Sequence, residues 1–127
     1  MKLVKILTLA SALTSFTLAE DTPLAESMSD ANTSYKLIRR NMDGTWEEKL
    51  EWATNMATAF TASADYLPEG LEDPKMIALY KEMIYQNLSD MYELKRAALE
   101  QDQEAFEAAY AKIKETKSQG HDTFIED

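Results

Sequence analysis

The sequence predicts an all-α protein, an antiparallel up-down-up-down four-helix bundle preceded by a cleavable signal peptide. Three observations lead to this prediction. Apolar residues recur at helical spacing in four segments, the connections between the segments are short, and no window shows the alternation of a β-strand. With only three glycines and three prolines in 127 residues, the helix boundaries are easy to locate.

Residues 1–19 have the pattern of a signal peptide. Lys2 and Lys5 precede an apolar run over residues 6–18, and Ala19 supplies the small residue before a cleavage site. The run is shorter than the ~20 apolar residues of a membrane-spanning helix. We therefore expect residues 20–127 to be exported as one bundle domain without membrane insertion, because this length suffices for a single core.

The first two helices have clear start signals. Thr22-Pro23 is a capping hydroxyl followed by proline, and the first helix is predicted to run from there to about Arg40. Thr45 to Glu48 forms a capping box that begins the second helix. The apolar stripes of the two helices are Leu24, Met28, Ala31, Tyr35 and Ile38 in the first, and Trp46, Leu50, Ala53, Ala57, Phe60, Ala64 and Leu67 in the second.

The third and fourth helices are separated by a polar break. Asp73-Pro74 repeats the cap-plus-proline start, and residues 101–103 end the third helix. The two stripes are Ile77, Tyr80, Ile84, Leu88, Met91 and Leu94 in the third helix, and Phe106, Tyr110, Ile113, Lys117, His121 and Phe124 in the fourth.

Charge and cysteine content exclude several function classes. Removal of the two leader lysines takes the formal net charge from −10 to −12, so the protein repels nucleic acid and anionic lipid. It would attract a partner with a basic face. The chain has no cysteine, which excludes disulfides, thiolate metal sites and covalent haem attachment.

Met28 and the single histidine, His121, are the candidate functional pair. In an antiparallel bundle the start of the first helix and the end of the fourth share one end of the molecule. By helical spacing Met28 lies on the stripe of Leu24 and Tyr35, and His121 lies on that of Tyr110. A thioether and an imidazole that face each other across an apolar pocket can ligate a haem iron.

Both ends of the chain carry motifs of one family. The segment 24–32, LAESMSDAN, and the segment 114–121, KETKSQGH, resemble the first and last helices of the cytochrome b562 family of soluble periplasmic haem proteins. Pro74 and Met76 are similar to the start of that family's third helix. The resemblance covers the whole chain after the leader.

The resemblance implies a periplasmic, monomeric electron carrier, not an enzyme, that binds one non-covalent haem b. Met28 and His121 fall on the positions of the axial ligands of the iron, and the redox partner would be periplasmic with a basic face. The other implied haem contacts are Ala31, Phe60, Leu79, Met83 and Lys117. Leu79 and Met83 stand where the family has phenylalanines, and Lys117 stands where it has an arginine.

A cofactor-free bundle is the main alternative. An acidic adaptor or chaperone-like interaction protein would account for the negative charge and for aromatic residues predicted at the edges of the stripes, which are Trp52, Tyr66, Tyr85 and Tyr92. Such a protein would stay colourless when haemin is added, whereas a haem protein would turn red.

Other metal sites and hydrolytic chemistry find less support. The six methionines of the mature chain are possible ligands for Cu(I), but their spread over three helices and a loop is typical of core packing. A di-iron carboxylate site needs Glu-x-x-His pairs, and Ser118 stands three residues before His121. The sequence contains no Gly-x-Ser-x-Gly motif, so nothing in it indicates a nucleophilic serine.

Overall fold

The computed structural model describes residues 22–124, and every regular element in this range is helical. The four long helices are α1 (Pro23–Arg40), α2 (Trp46–Thr61), α3 (Pro74–Glu100) and α4 (Gln103–Phe124). A short 3₁₀ turn, Ala62–Asp65, follows α2. The prediction of an all-α protein with four helices is confirmed, and the predicted signal peptide lies outside the described residues.

The start of each helix follows the local signals in the sequence. The Thr22 hydroxyl accepts a hydrogen bond from the amide of Ala25 at 3.0 Å. In the capping box, the Thr45 hydroxyl accepts from the Glu48 amide at 3.1 Å, and the Glu48 carboxylate accepts from the Thr45 amide at 3.3 Å. The Asp73 carboxylate caps α3 in the same way, so all three predicted starts are confirmed.

The α3–α4 turn is tight because one residue adopts a left-handed conformation. Gln101 has φ 56° and ends α3, and its amide bonds back to the carbonyls of Ala97 and Ala98. Asp102 then accepts a hydrogen bond from the amide of Ala105 at 3.1 Å, which starts α4.

The end of α2 differs from the prediction. The apolar stripe continues to Leu67, but α2 ends at Thr61 and Leu67 is 40% exposed. A tertiary contact favours the change of helix type. The buried hydroxyl of Ser63, in the 3₁₀ turn, lies 2.7 Å from that of Ser27 in α1, and Ser27 also donates to the carbonyl of Ala59.

The helices enclose one hydrophobic core, to which all four contribute buried apolar residues. α1 packs against α2, α2 against α3, and α3 against α4. In contrast, no Cα atom of α1 lies within 8 Å of one in α4 among the described residues. Side chains span this wider gap. None of the described helices is long and apolar enough to cross a lipid bilayer.

Lys49 is a fully buried cation at the end of the molecule that holds the α1–α2 and α3–α4 turns. It is 2% exposed, and its ammonium donates to the Met42 carbonyl at 3.1 Å and to the Gln103 side chain at 2.8 Å. The same nitrogen lies 3.7 Å from the ring centroid of Trp46 and 5.3 Å from that of Phe106. Hydrogen bonds and aromatic faces thus replace the water that the ammonium loses.

We expect Lys49→Ala to lower the free energy of unfolding by about 2–4 kcal/mol, because it removes a buried stem and leaves the side-chain oxygen of Gln103 without its donor. Urea denaturation of the purified protein measures this. Lys112→Ala is the matched control, since Lys112 forms an exposed ion pair with Glu93 at 3.3 Å and its loss should cost less than about 1 kcal/mol. Equal losses for the two variants would contradict the structural role of Lys49.

Candidate functional site

A cavity of about 410 Å³ is bordered by all four helices. Its size is in the range of small-molecule and cofactor sites. It extends from Pro68 and Phe124 toward Ile113 in the middle of α4. The large, mainly apolar side chains of its wall are Met28, Tyr35, Met56, Phe60, Tyr80, Met83, Ile84, Met91, Ile113 and Phe124.

The cavity exists because two aromatic rings stand between α1 and α4. Tyr35 and Tyr110 stack with centroids 4.9 Å apart and an interplanar angle of 17°, and both are buried. Rings of this size fill the space between the two helices at one level and keep the backbones apart. Toward Met28 on α1 and His121 on α4 the smaller side chains leave the space open.

Met28 and His121, the candidate pair from the sequence, both line this cavity. Met28 is half-buried, and the His121 side chain is exposed at the rim. The two donors therefore belong to the first and last described helices and border one cavity. Their placement on helices makes the site more rigid than a site built on loops.

Four other predicted contacts also border the cavity. Ala31 and Phe60 are buried in its wall, and Met83 and Lys117 are half-buried there. Leu79, in contrast, does not border the cavity and is 38% exposed, so the structure does not bring it together with the other predicted contacts. The reason is helical phase, since the inward position belongs to its neighbour Tyr80, whose ring packs edge-on against Phe124 at 5.3 Å.

Two methionines and two asparagines of the wall were not among the predicted site residues. Met56 and Met91 lie on the apolar faces of α2 and α3, and the sequence pattern does not distinguish them from other core methionines. The signal that could have pointed to the asparagines is helical phase, since Asn32 lies one turn after Met28, and Asn87 lies one turn after Met83 and one turn before Met91. Asn87 is buried even though it is polar.

Three polar atoms in the wall are buried without a hydrogen-bond partner among the described residues. They are Oδ1 of Asn32, Oδ1 of Asn87 and the hydroxyl of Tyr80. Burial raises the pKa of the Tyr80 hydroxyl well above its ordinary value, so it stays protonated and able to donate. Orphaned polar atoms in a cavity call for water or for the polar groups of a ligand.

Lys117 gives this wall a positive charge inside an acidic protein. Its ammonium lies 4.5 Å from the ring centroid of Tyr35, in a cation–π contact. Burial lowers the pKa of Lys117 below its ordinary value, and the nearby positive charges of Arg39 and Lys36 lower it further. These three cations form a local basic region on α1 and α4.

Comparison of the chain with protein-family models, with curated proteins and with solved structures finds no match. Within residues 22–124, no group of three or more histidine, aspartate or glutamate side chains is arranged to hold a metal ion. The described site therefore offers thioether and imidazole donors instead of a carboxylate cluster.

Asp90 is a buried acid directly behind the wall. It accepts hydrogen bonds from the side-chain amide of Gln86 at 3.2 Å and from the hydroxyl of Thr116, a cavity residue, at 3.5 Å. Burial raises its pKa above the ordinary 3.8, and the charge of Glu93 acts in the same direction. The two hydrogen bonds and the charge of Lys112 oppose this shift.

The raised pKa of Asp90 makes its contribution to stability pH-dependent. The folded state holds the proton more tightly than the unfolded chain, so the contribution is full below pH 3.8 and declines as pH rises through the folded pKa. We expect Asp90→Asn to be more stable than the wild type at pH 7, with no such gain near pH 3.5. Urea denaturation at both pH values measures the difference.

The exposed Asp30→Asn is the matched control for this experiment, with an expected change within about 0.5 kcal/mol at either pH. If Asp90→Asn were less stable than the wild type at pH 7, the favourable interactions of the charged carboxylate would outweigh the cost of burying it.

Proposed function

We propose that this protein is a periplasmic electron-transfer protein that binds one non-covalent haem b, with Met28 and His121 as the axial ligands of the iron. The observation that carries the proposal is that these two residues, from the first and last described helices, line one largely apolar cavity. A thioether and an imidazole on one such pocket are the donors that b-type electron carriers use.

The proposal includes an antiparallel up-down-up-down arrangement of the helices. Contacts between helix ends support it. Ser27 near the start of α1 contacts Ser63 just after α2, and Tyr80 near the start of α3 contacts Phe124 at the end of α4. The stacked rings of Tyr35 and Tyr110 lie at one level along the bundle axis. Met28 lies seven residues before Tyr35, and Lys117 lies seven residues after Tyr110, so in antiparallel helices Met28 and Lys117 also share a level. Met28 and His121 then differ in depth by about one helical turn.

The other wall residues suit the proposed cofactor. Phe60, Ile84 and Met83 supply flat or flexible apolar surface. The basic region around Lys117 can supply positive charge to the carboxylates at the edge of the macrocycle, and the protonated hydroxyl of Tyr80 can donate a hydrogen bond to them. The amide oxygens of Asn32 and Asn87 can be satisfied by buried water.

Bound haem would supply an iron centre that gains and loses one electron. The neutral thioether of Met28 would favour the reduced iron and raise its reduction potential. The apolar wall restricts water, which acts in the same direction. Because Met28 and His121 would both hold the iron, no ligand position would be left for a substrate, and we propose a carrier and not an enzyme.

Location and partners follow from the sequence. A leader over residues 1–19 would export the protein, and the remaining bundle would act as a monomer in the periplasm. The net charge of −10 for the full chain favours a redox partner with a basic face.

A cofactor-free interaction protein is the second candidate. The observation in its favour is an exposed apolar line on α3, where Tyr85, Tyr92 and Leu99 follow one another at intervals of seven residues. They are 57%, 53% and 61% exposed. Spacing of seven keeps side chains on one helix face, as in a coiled-coil seam. An interaction protein would bind its partner through this face and would not respond to haemin.

The test is a titration of the purified protein with haemin, followed by visible absorption of the oxidised and reduced forms. We expect saturable one-to-one binding and a low-spin spectrum, which Met28→Ala and His121→Ala each abolish while far-ultraviolet helicity is retained. Met42→Ala is the matched control, because Met42 is also half-buried but lies outside the cavity wall.

Thermal unfolding gives a second readout of the same proposal. A ligand that binds only the folded bundle stabilises it by about 2.7 kcal/mol at a free concentration of 100 times Kd, so the melting temperature should rise with haemin. Absence of saturable binding, together with an unchanged melting temperature, would leave the interaction protein as the better account.

A further inference from the structure

Four of the methionines converge on one cavity. Met28 of α1, Met56 of α2, and Met83 and Met91 of α3 all line it, together with His121, the single histidine of the chain. In the sequence these residues look dispersed, which is why they were assigned to core packing. Thioether donors are soft and favour soft metal ions, above all Cu(I).

The methionines divide into two levels along the bundle. Met83 and Met91 are eight residues apart on one helix, which separates them by about 12 Å along its axis. They are therefore too far apart to ligate one ion. Met56 and Met91 are almost completely buried, whereas Met28 and Met83 are half-buried at the level that is open to solvent.

Met83 reaches the segment of α4 that carries the histidine. A Cβ atom placed on Gly120 would lie 3.9 Å from the terminal methyl carbon of Met83. Since Gly120 directly precedes His121, the Met83 thioether lies beside the imidazole-bearing turn. Because residue 120 has no side chain, nothing from it separates Met83 from the space in front of α4.

We propose that Met28, Met83 and His121 form a binding site for one Cu(I) ion. Two thioethers and an imidazole are a donor set that suits Cu(I), and they bind it without the loss of a proton from sulfur. Hard cations such as Ca²⁺ and Mg²⁺ require oxygen ligands, and no cluster of acidic side chains within residues 22–124 offers them.

This site goes beyond the haem proposal and does not depend on it. Met28 and His121 would serve either ligand, so Cu(I) and haem would exclude each other. Met83 distinguishes the copper proposal from the haem proposal. Towards haem it is an apolar wall contact, and towards copper it is a ligand, so its replacement by a side chain of similar volume affects the two ligands differently.

The test is an anaerobic competition between the haem-free protein and a chromogenic Cu(I) chelator. We expect one Cu(I) per chain, and an affinity that falls at least tenfold in Met83→Leu. Met76→Leu is the matched control, because Met76 is also a half-buried methionine of α3 but lies outside the cavity wall, and it should bind like the wild type.

A second measurement is independent of the variants. Cu(I) added to the wild-type protein with ¹³C-labelled methionine methyl groups should shift the signals of Met28 and Met83 and leave those of Met42 and Met76 in place. Absence of stoichiometric binding, an unchanged affinity in Met83→Leu, or an equal loss in Met76→Leu would overturn the copper site. None of these results bears on haem, whose test depends on Met28→Ala and His121→Ala.

Discussion

The separation of α1 and α4 is the constraint on which the candidate site depends. The other neighbouring helices approach closely, but this pair is kept apart by the stacked rings of Tyr35 and Tyr110. An aromatic pair of this kind contributes about 0.5–1.5 kcal/mol beyond the area that it buries, and the ammonium of Lys117 over the Tyr35 ring adds to it. If smaller side chains stood here, the two helices could close and the opening would shrink.

The opening also explains why the wall tolerates polar groups. In a closed bundle, the unpartnered amide oxygens of Asn32 and Asn87 would each carry the full cost of desolvation, about 1–3 kcal/mol. Both residues border the cavity, so a small side-chain rotation would bring either oxygen to water or to a ligand. The Met83 side chain also has space next to α4, because Gly120 has no side chain at this position. The cavity, the polar atoms in its wall and the space around Met83 thus all depend on the separation of α1 and α4.

The beginnings of the helices were predictable because they are set by residues close in sequence. A capping side chain and the amide it accepts from are three residues apart at Thr22 and Thr45, and proline restricts the first turn after Thr22 and Asp73. The end of α2 was not predictable. It depends on a hydrogen bond between Ser63 and Ser27, which are 36 residues apart, and the apolar spacing up to Leu67 gives no sign of it.

The site was predictable only in part, for a similar reason. Helical phase placed Met28, Ala31 and Phe60 on inward faces, and the structure finds all three in the cavity wall. Leu79 was assigned by resemblance to a family, but the phase of α3 turns Tyr80 inward instead. The convergence of four methionines depends on the relative depth of three helices, which periodicity within each helix does not contain.

The buried Lys49 makes the two ends of the bundle unequal. It links the α1–α2 turn to the first residue of α4, while the cavity lies toward the other end, where the longer connection between α2 and α3 and the last turn of α4 meet. Local opening requires less free energy where fewer buried contacts must break. Amide hydrogen exchange should therefore be graded along the bundle axis, with faster exchange at the cavity end than at the end that holds Lys49.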